Sequence, residues 1–260
     1  MPMPIVFPTV PQEPITRDPK LLVMFAQPKQ GKTTALGMLE GNLLIDLEDG
    51  SDHVRGLILK ASNLADISEI LKGLKDQGLS YAYITLDTTT VLEEIAKELA
   101  KKLYQDTPMG KKWGKINPRT GKPNPGEDDI TELPNGAGYH YLRKAFQKIV
   151  DSFKPYVTEC LILSGHVKDK LITRDGKEVP EMELDLAGKL SRLTCSKADA
   201  VGLVRRVGNK VYINFNGGGD TIIESRSEHL AGKTILLTEK NTDGTFVSHW
   251  DDVFLNLKNQ

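Results

Sequence analysis

Two cysteines in 260 residues, Cys160 and Cys195, are too few for a disulfide framework or a thiolate metal site, and they suit a reducing cytosol. Long apolar runs are missing as well: the richest window, LLVMFA at 21–26, is far shorter than the roughly 20 residues a membrane span requires. Net charge is almost absent at −1, so nothing pulls the whole chain toward nucleic acid or membrane. Any polyanion binding has to come from local patches. The N-terminal MPMPIVFPTVPQEP is proline-rich and lacks the basic-then-apolar order of a signal peptide. No internal repeat of useful length occurs. What remains, 39% hydrophobic and 27% charged, is ordinary globular composition, long enough for one large α/β domain or two small ones. The expectation is a cytoplasmic protein without membrane association, with an extended lead-in over 1–17 and one domain over 18–260.

The apolar pattern alternates strand and helix. LLVMF (21–25) and LLIDL (43–47) read as buried strands, with a short helix between them through about Glu40. Leu64, Ile67, Ile70, Leu71 and Leu74 predict a helix over 63–76 capped by Asn63. YAYITL (81–86) is a third strand, and Thr88, Thr89 and Thr90 offer caps for a helix striped by Val91, Ile95, Leu99 and Leu103. Residues 105–137 break the pattern with Pro, Gly and charge, and are too long for a routine connection. A helix ending before Pro155 and a strand VTECLILSG (157–165) follow. Then come a hairpin over 170–179 turning on Asp175-Gly176, a helix over about 186–197, and strand-like runs VGLVRRV, KVYINF, TIIES and KTILLT. The order implies a mostly parallel sheet covered by helices, with antiparallel strands added at one edge.

Between the first strand and the first helix stands AQPKQGKTT (26–34). Its end matches a phosphate-binding P-loop, G-x-x-x-x-G-K-[ST], although Ala26 replaces the first glycine. In such a loop the backbone N–H groups of Pro28 to Thr34 (Lys29, Gln30, Gly31, Lys32 and Thr33 between them; proline itself has none) surround phosphate oxygens. Lys32 reaches the terminal phosphates and the Thr33 hydroxyl holds Mg²⁺. A second GKT at 232–234 runs into a strand-like segment, so it reads as a decoy. Ligands of open α/β sheets bind beyond the carboxyl ends of the strands, and three strands end in suitable groups. Asp87 closes YAYITLD in the form of a Walker B carboxylate for Mg²⁺. Glu48, with Asp46 as the alternate, is placed to activate the water that attacks the γ-phosphate. His166 closes CLILSGH, where a polar side chain touches the γ-phosphate.

Taken together, AQPKQGKTT, LLIDLEDG, YAYITLDT, CLILSGHVKDK and DLAGKLSRLTCSKADAVGLVRR resemble the RecA-like P-loop ATPases of phages, the group that includes phage single-strand annealing and recombination ATPases. The likeness spans about 18–240. It implies a RecA-like α/β core using ATP and Mg²⁺, assembled into filaments or rings, acting on single-stranded DNA in recombination, annealing or replication. A single-strand-binding protein is a further expected partner, and the host cytoplasm the location if the chain is phage-encoded. The resemblance places DNA-binding loops at about 105–137 and 167–185. Lys111, Lys112, Lys115, Lys168 and Lys170 would meet the DNA backbone there, with Trp113 to stack a base. It also implies that Arg205, Arg206 or Lys210 reaches a neighbouring subunit's phosphate. A replicative helicase-like motor, a small-molecule P-loop kinase and a non-catalytic nucleotide-gated module are the alternatives. The lysine-rich 105–137 segment does not look like the arginine-rich lid of such kinases.

Overall fold

Six consecutive buried residues form β1 (Leu21–Ala26). Leu21, Val23 and Phe25 enter one apolar cluster, while Leu22, Met24 and Ala26 enter another on the opposite face. A strand apolar on both sides is the mark of a central parallel strand with layers above and below. The computed structural model describes residues 7, 9–11, 17–113, 119, 129–174, 177–217 and 222–259. After β1 come α1 (Lys32–Gly37), β2 (Asn42–Asp46), β3 (Leu57–Lys60), α2 (Leu64–Asp76), β4 (Tyr81–Asp87), α3 (Thr89–Gln105) and α4 (Ala137–Phe153). The chain continues through β5 (Val157–Arg174), β6 (Lys177–Leu184), α5 (Leu190–Lys197), β7 (Ala200–Val207) and β8 (Lys210–Asn214). It closes with β9 (Glu224–Ser225), β10 (Thr234–Lys240) and β11 (Phe246–Ser248).

Among the described residues the strands join in the order β11-β10-β8-β7-β1-β5-β4-β2-β3, with β6 paired to β5 and β9 to β7. From β7 to β3 every neighbour is parallel. The β7–β8, β8–β10 and β10–β11 pairs are antiparallel. This is the expected class: a mostly parallel sheet flanked by helices, with antiparallel strands at one edge. The register brings Ala26 opposite His166, Asp87 opposite Ser164 and Asp46 opposite Asp87, so four strands end their chemistry at one edge.

Local boundaries follow from local causes. α2 is capped by Asn63, whose side chain accepts from the N–H groups of Ala65 and Asp66. α1 stops at Gly37, short of Glu40, because residue 37 packs directly on the Val54 side chain and the Arg55 carbonyl, where any side chain would collide. β3 lies at the sheet edge and is mostly exposed, which is why its LILK run carries no clear two-sided apolar signal. The expected strand over 157–165 and the hairpin after it are one structure, since β5 runs unbroken for 18 residues and pairs with β6 beyond the sheet. TIIES contributes only the two-residue β9, and the helix expected from 186 begins at Leu190. Both cysteines are free and buried, and burial pushes the Cys195 thiol up to about 12.

The second cluster ties α1 to the chain's end. Trp250 stacks on Phe254 at 5.8 Å and donates its indole N–H to the Ala35 carbonyl at 2.7 Å. Replacing Trp250 by Phe keeps most of the apolar volume but removes that buried donor, so Trp250→Phe should lower unfolding free energy by about 1–2 kcal/mol, read from urea midpoints at unchanged slope.

Candidate nucleotide site

Residues 27–31 make the whole turn between β1 and α1. Lys29 and Gly31 take left-handed backbone there, with φ of 65° and 87°. Ala26 does not: it ends β1, fully buried, with its methyl in the cluster that holds Ala35 and Leu36. The unusual alanine therefore faces core, and no glycine is needed at that position. Glycine is needed at Gly31, where φ alone would strain any other residue.

The side chains that follow converge. Lys32 is 6% exposed, and its Nζ lies 3.5 Å from His166 Nδ1. Burial lowers the Lys32 pKa, opposed by the charges of Asp87 and Glu48. The Thr33 hydroxyl donates to Asp87 Oδ2 at 2.8 Å. Asp87 is 3% exposed, and its other oxygen, Oδ1, has no hydrogen-bond partner among the described residues. Burial raises its carboxyl pKa, opposed first by the neighbouring Ser164 hydroxyl, then by the Thr33 bond and the Lys32 charge; Ser164 Oγ stands near but makes no hydrogen bond of good geometry to Asp87. An orphaned buried carboxylate oxygen beside a threonine hydroxyl fits Mg²⁺, which takes one or two protein oxygens and completes its shell with water and phosphate.

Asp46 and Glu48 differ in their hydrogen bonding. Asp46 accepts from the backbone N–H groups of Glu48, Gly50 and Ser51 at 3.1, 3.3 and 3.0 Å, and from the Ser51 hydroxyl at 2.5 Å. It is occupied in shaping the turn. Glu48 stands at the tip of that turn with its side chain 33% exposed. Its Oε1 accepts from the Thr88 hydroxyl at 2.6 Å and contacts His166 Nε2 at 2.8 Å. Thr88 starts α3 without a side-chain cap bond, because its hydroxyl is used here. A neutral His166 protonated at Nε2 satisfies both neighbours, donating to Glu48 and accepting from Lys32. The structure thus brings together Lys32, Thr33, Glu48, Asp87 and His166, the residues singled out in the sequence, and adds Thr88, whose place there suggested only a helix cap.

The second hairpin is clamped beneath this network. The Ala187 N–H donates to both Glu93 carboxylate oxygens, at 3.1 and 3.0 Å, and the Thr90 hydroxyl donates to the Asp185 carbonyl at 3.2 Å. Lys168 donates to the Leu186 carbonyl and lies 3.7 Å from Asp185, so it braces the hairpin base. Lys170 sits opposite Glu181 in the ribbon, its side chain outside the described residues. Lys111 is exposed; Lys115 and the Lys112 side chain also lie outside the described residues. Trp113 differs from expectation. It is 8% exposed and meets Tyr104 edge-on at 5.6 Å, so its ring is core and offers no free face to a base.

At the antiparallel edge, Lys210 is paired with Glu239 at 3.4 Å and Arg205 is exposed. Arg206 lies beside its own chain's loop: its N–H donates to Gln30 Oε1 at 2.7 Å. The second GKT leads directly into β10, a strand, as its sequence implied.

The His166 bond is the largest cause lowering the Glu48 pKa. A lowered carboxyl pKa stabilises the folded state above the ordinary value, and that contribution is lost as pH falls through the lowered one. In His166→Ala the Glu48 carboxyl should titrate closer to 4.5, its ordinary value, which side-chain carboxyl NMR reads directly. An unchanged titration would show that His166 does not hold Glu48.

No curated protein matches the chain. Among solved structures, the RadB recombinase is similar, at 13% identity and TM-score 0.43 over 87% of this chain and 90% of that one. So is a KaiC-like protein from Pyrococcus horikoshii OT3, at 12% identity and TM-score 0.42 over 88% of this chain and 89% of the other. Among the described residues no helix is long and apolar enough to cross a membrane. A family model described as an AAA domain matches residues 18–234, which takes in the P-loop, Asp46, Glu48, Asp87 and His166, and of the antiparallel strands β8 and β9, ending at the first residue of β10. The chain belongs to that AAA domain family.

Proposed function

We propose that the protein is a RecA-like, Mg²⁺-dependent ATPase that acts on single-stranded DNA in recombination, annealing or replication of the phage type. The observation that carries this reading is the pair of adjacent hydrogen-bonded sets, Thr33–Asp87 and Lys32–His166–Glu48–Thr88, drawn from four adjacent parallel strands and the turns that follow them.

In this reading the N–H groups of the 28–34 loop bind the phosphates, and Lys32 neutralises their terminal charge. Thr33 and Asp87 would hold Mg²⁺, which when bound adds positive charge against the phosphate oxygens. Glu48 accepts the proton of the attacking water. Its lowered pKa keeps it ionised at neutral pH, and its exposed side leaves room for that water. His166 keeps Glu48 oriented and, at the head of the β5–β6 ribbon, links the phosphate site to the segment expected to meet DNA. The lysines 111, 112, 115 and 170 remain the expected DNA contacts, and assembly into a filament or ring, with a single-strand-binding protein as a further partner, belongs to the same reading. The buried Trp113 moves base stacking away from that residue.

The test is the ATPase rate with and without single-stranded DNA. Stimulation is the expected result; turnover indifferent to DNA, with phosphate transfer to a nucleoside or nucleotide, would replace the motor by a kinase. Lys32→Ala should reduce turnover roughly a hundredfold or more. Glu48→Gln should keep ATP binding while kcat falls roughly 10²–10⁴-fold, and wild-type turnover in that variant would remove Glu48 from the base role.

A further inference from the structure

The functional reading leaves one cation at the phosphate loop without a task. β7 lies parallel beside β1, with Phe25 opposite Leu203, so its last residues pass alongside the turn that follows Ala26. There the Arg206 N–H is clipped to Gln30 Oε1 at 2.7 Å. Its guanidinium rests on the loop: a Cβ placed on Gly31 would come 2.7 Å from Nη2 and 3.4 Å from Nε. Val211, the register partner of Arg206 on β8, backs the same spot at 3.0 Å from that Cβ. Arg206 is exposed and takes part in no ion pair among the described residues, whereas Lys210 nearby is paired with Glu239.

A guanidinium presents a planar fork of N–H donors that matches phosphate oxygens two at a time. Here that fork lies against the loop that carries Lys29 and Lys32; Asp87 and Glu48 stand close enough to act on Lys32, whereas the Arg206 guanidinium itself has no carboxylate in ion-pair reach among the described residues. Mutual repulsion would drive a free side chain away, yet the Gln30 clip and Val211 hold the arginine's base in place. An anion on the loop would supply the guanidinium's counter-charge. Arg205, one residue earlier, projects to the opposite face of the strand and is the residue left free to face another subunit.

We propose that Arg206 acts in cis, contacting the terminal phosphates of the nucleotide held by its own chain's loop. The inference rests on the ATP reading above and alters the expectation that Arg206 serves a neighbour. It makes the phosphate end of each site complete within one chain.

Equilibrium dialysis of Mg-ATP against wild type, Arg206→Ala and Arg206→Lys tests the contact. Arg206→Ala should weaken ATP binding about tenfold or more at every protein concentration, with a smaller loss for ADP and only partial recovery in Arg206→Lys. Because the side chain is exposed, an unchanged melting temperature without nucleotide shows that the variant is folded. Equal mixing of Lys32→Ala and Arg206→Ala chains then separates cis from trans. A cis contact leaves every site defective and turnover low; restored turnover means Arg206 serves a neighbour and overturns the proposal. ATP binding unchanged in Arg206→Ala overturns it too. Failure of wild type to bind ATP would instead sink the ATP reading itself.

Discussion

A carboxylate at 3% exposure has to be compensated or it takes up a proton, and Asp87 is such a group. The rest of the site is organised around that cost. Thr33 satisfies one oxygen, the Ser164 hydroxyl and the Lys32 charge ease the carboxylate from nearby, and the second oxygen makes no hydrogen bond among the described residues. Lys32 has the mirror problem, a buried ammonium whose pKa falls for the same reason. Each is pushed toward neutrality by burial, and each retains its charge best when a partner of opposite sign arrives. A metal–phosphate pair would provide both partners together, positive toward Asp87 and negative toward Lys32. The parallel register makes this possible, since it places Asp87 and the loop at one edge with only β5 between their strands.

β5 also explains why the two acids near this edge differ. Asp46 turns inward and spends its oxygens on the 48–51 backbone, which fixes the position of Glu48. Glu48 then meets His166 from β5 and Thr88 from the start of α3. The buried acid shapes the turn and the exposed acid has access to solvent. Their spacing of two along the chain would suggest equal roles, and burial separates them.

Much of this was legible in the sequence. Apolar runs at 21–25 and 43–47 marked buried strands, observed as β1 and β2, and the polar residues at their ends marked where a ligand of such a sheet would sit. What escaped was set by partners remote in sequence. Thr88 reads as a helix cap until Glu48 is seen 40 positions away to claim its hydroxyl. Trp113 among lysines reads as a stacking residue until Tyr104 and the core close around it. Arg206 reads as one of several late basic residues until β7 is placed beside β1. The edge strand β3 lacked a two-sided pattern because only one of its flanks is paired.

The length of β5 has a mechanical consequence. Its 18 residues begin inside the sheet, pass His166 and continue as one arm of a two-stranded ribbon to Arg174. Eight residues beyond His166, at about 3.3 Å each, make an outrigger roughly 26 Å long. On the β5 side no loop interrupts the root of the ribbon, so that arm and the histidine that touches Lys32 and Glu48 are consecutive parts of one strand. A tilt of about 10° at that fulcrum would sweep the far tip through roughly 4–5 Å, a displacement comparable to the spacing between neighbouring strands. A small rotation at His166 would therefore be magnified with distance along the hairpin.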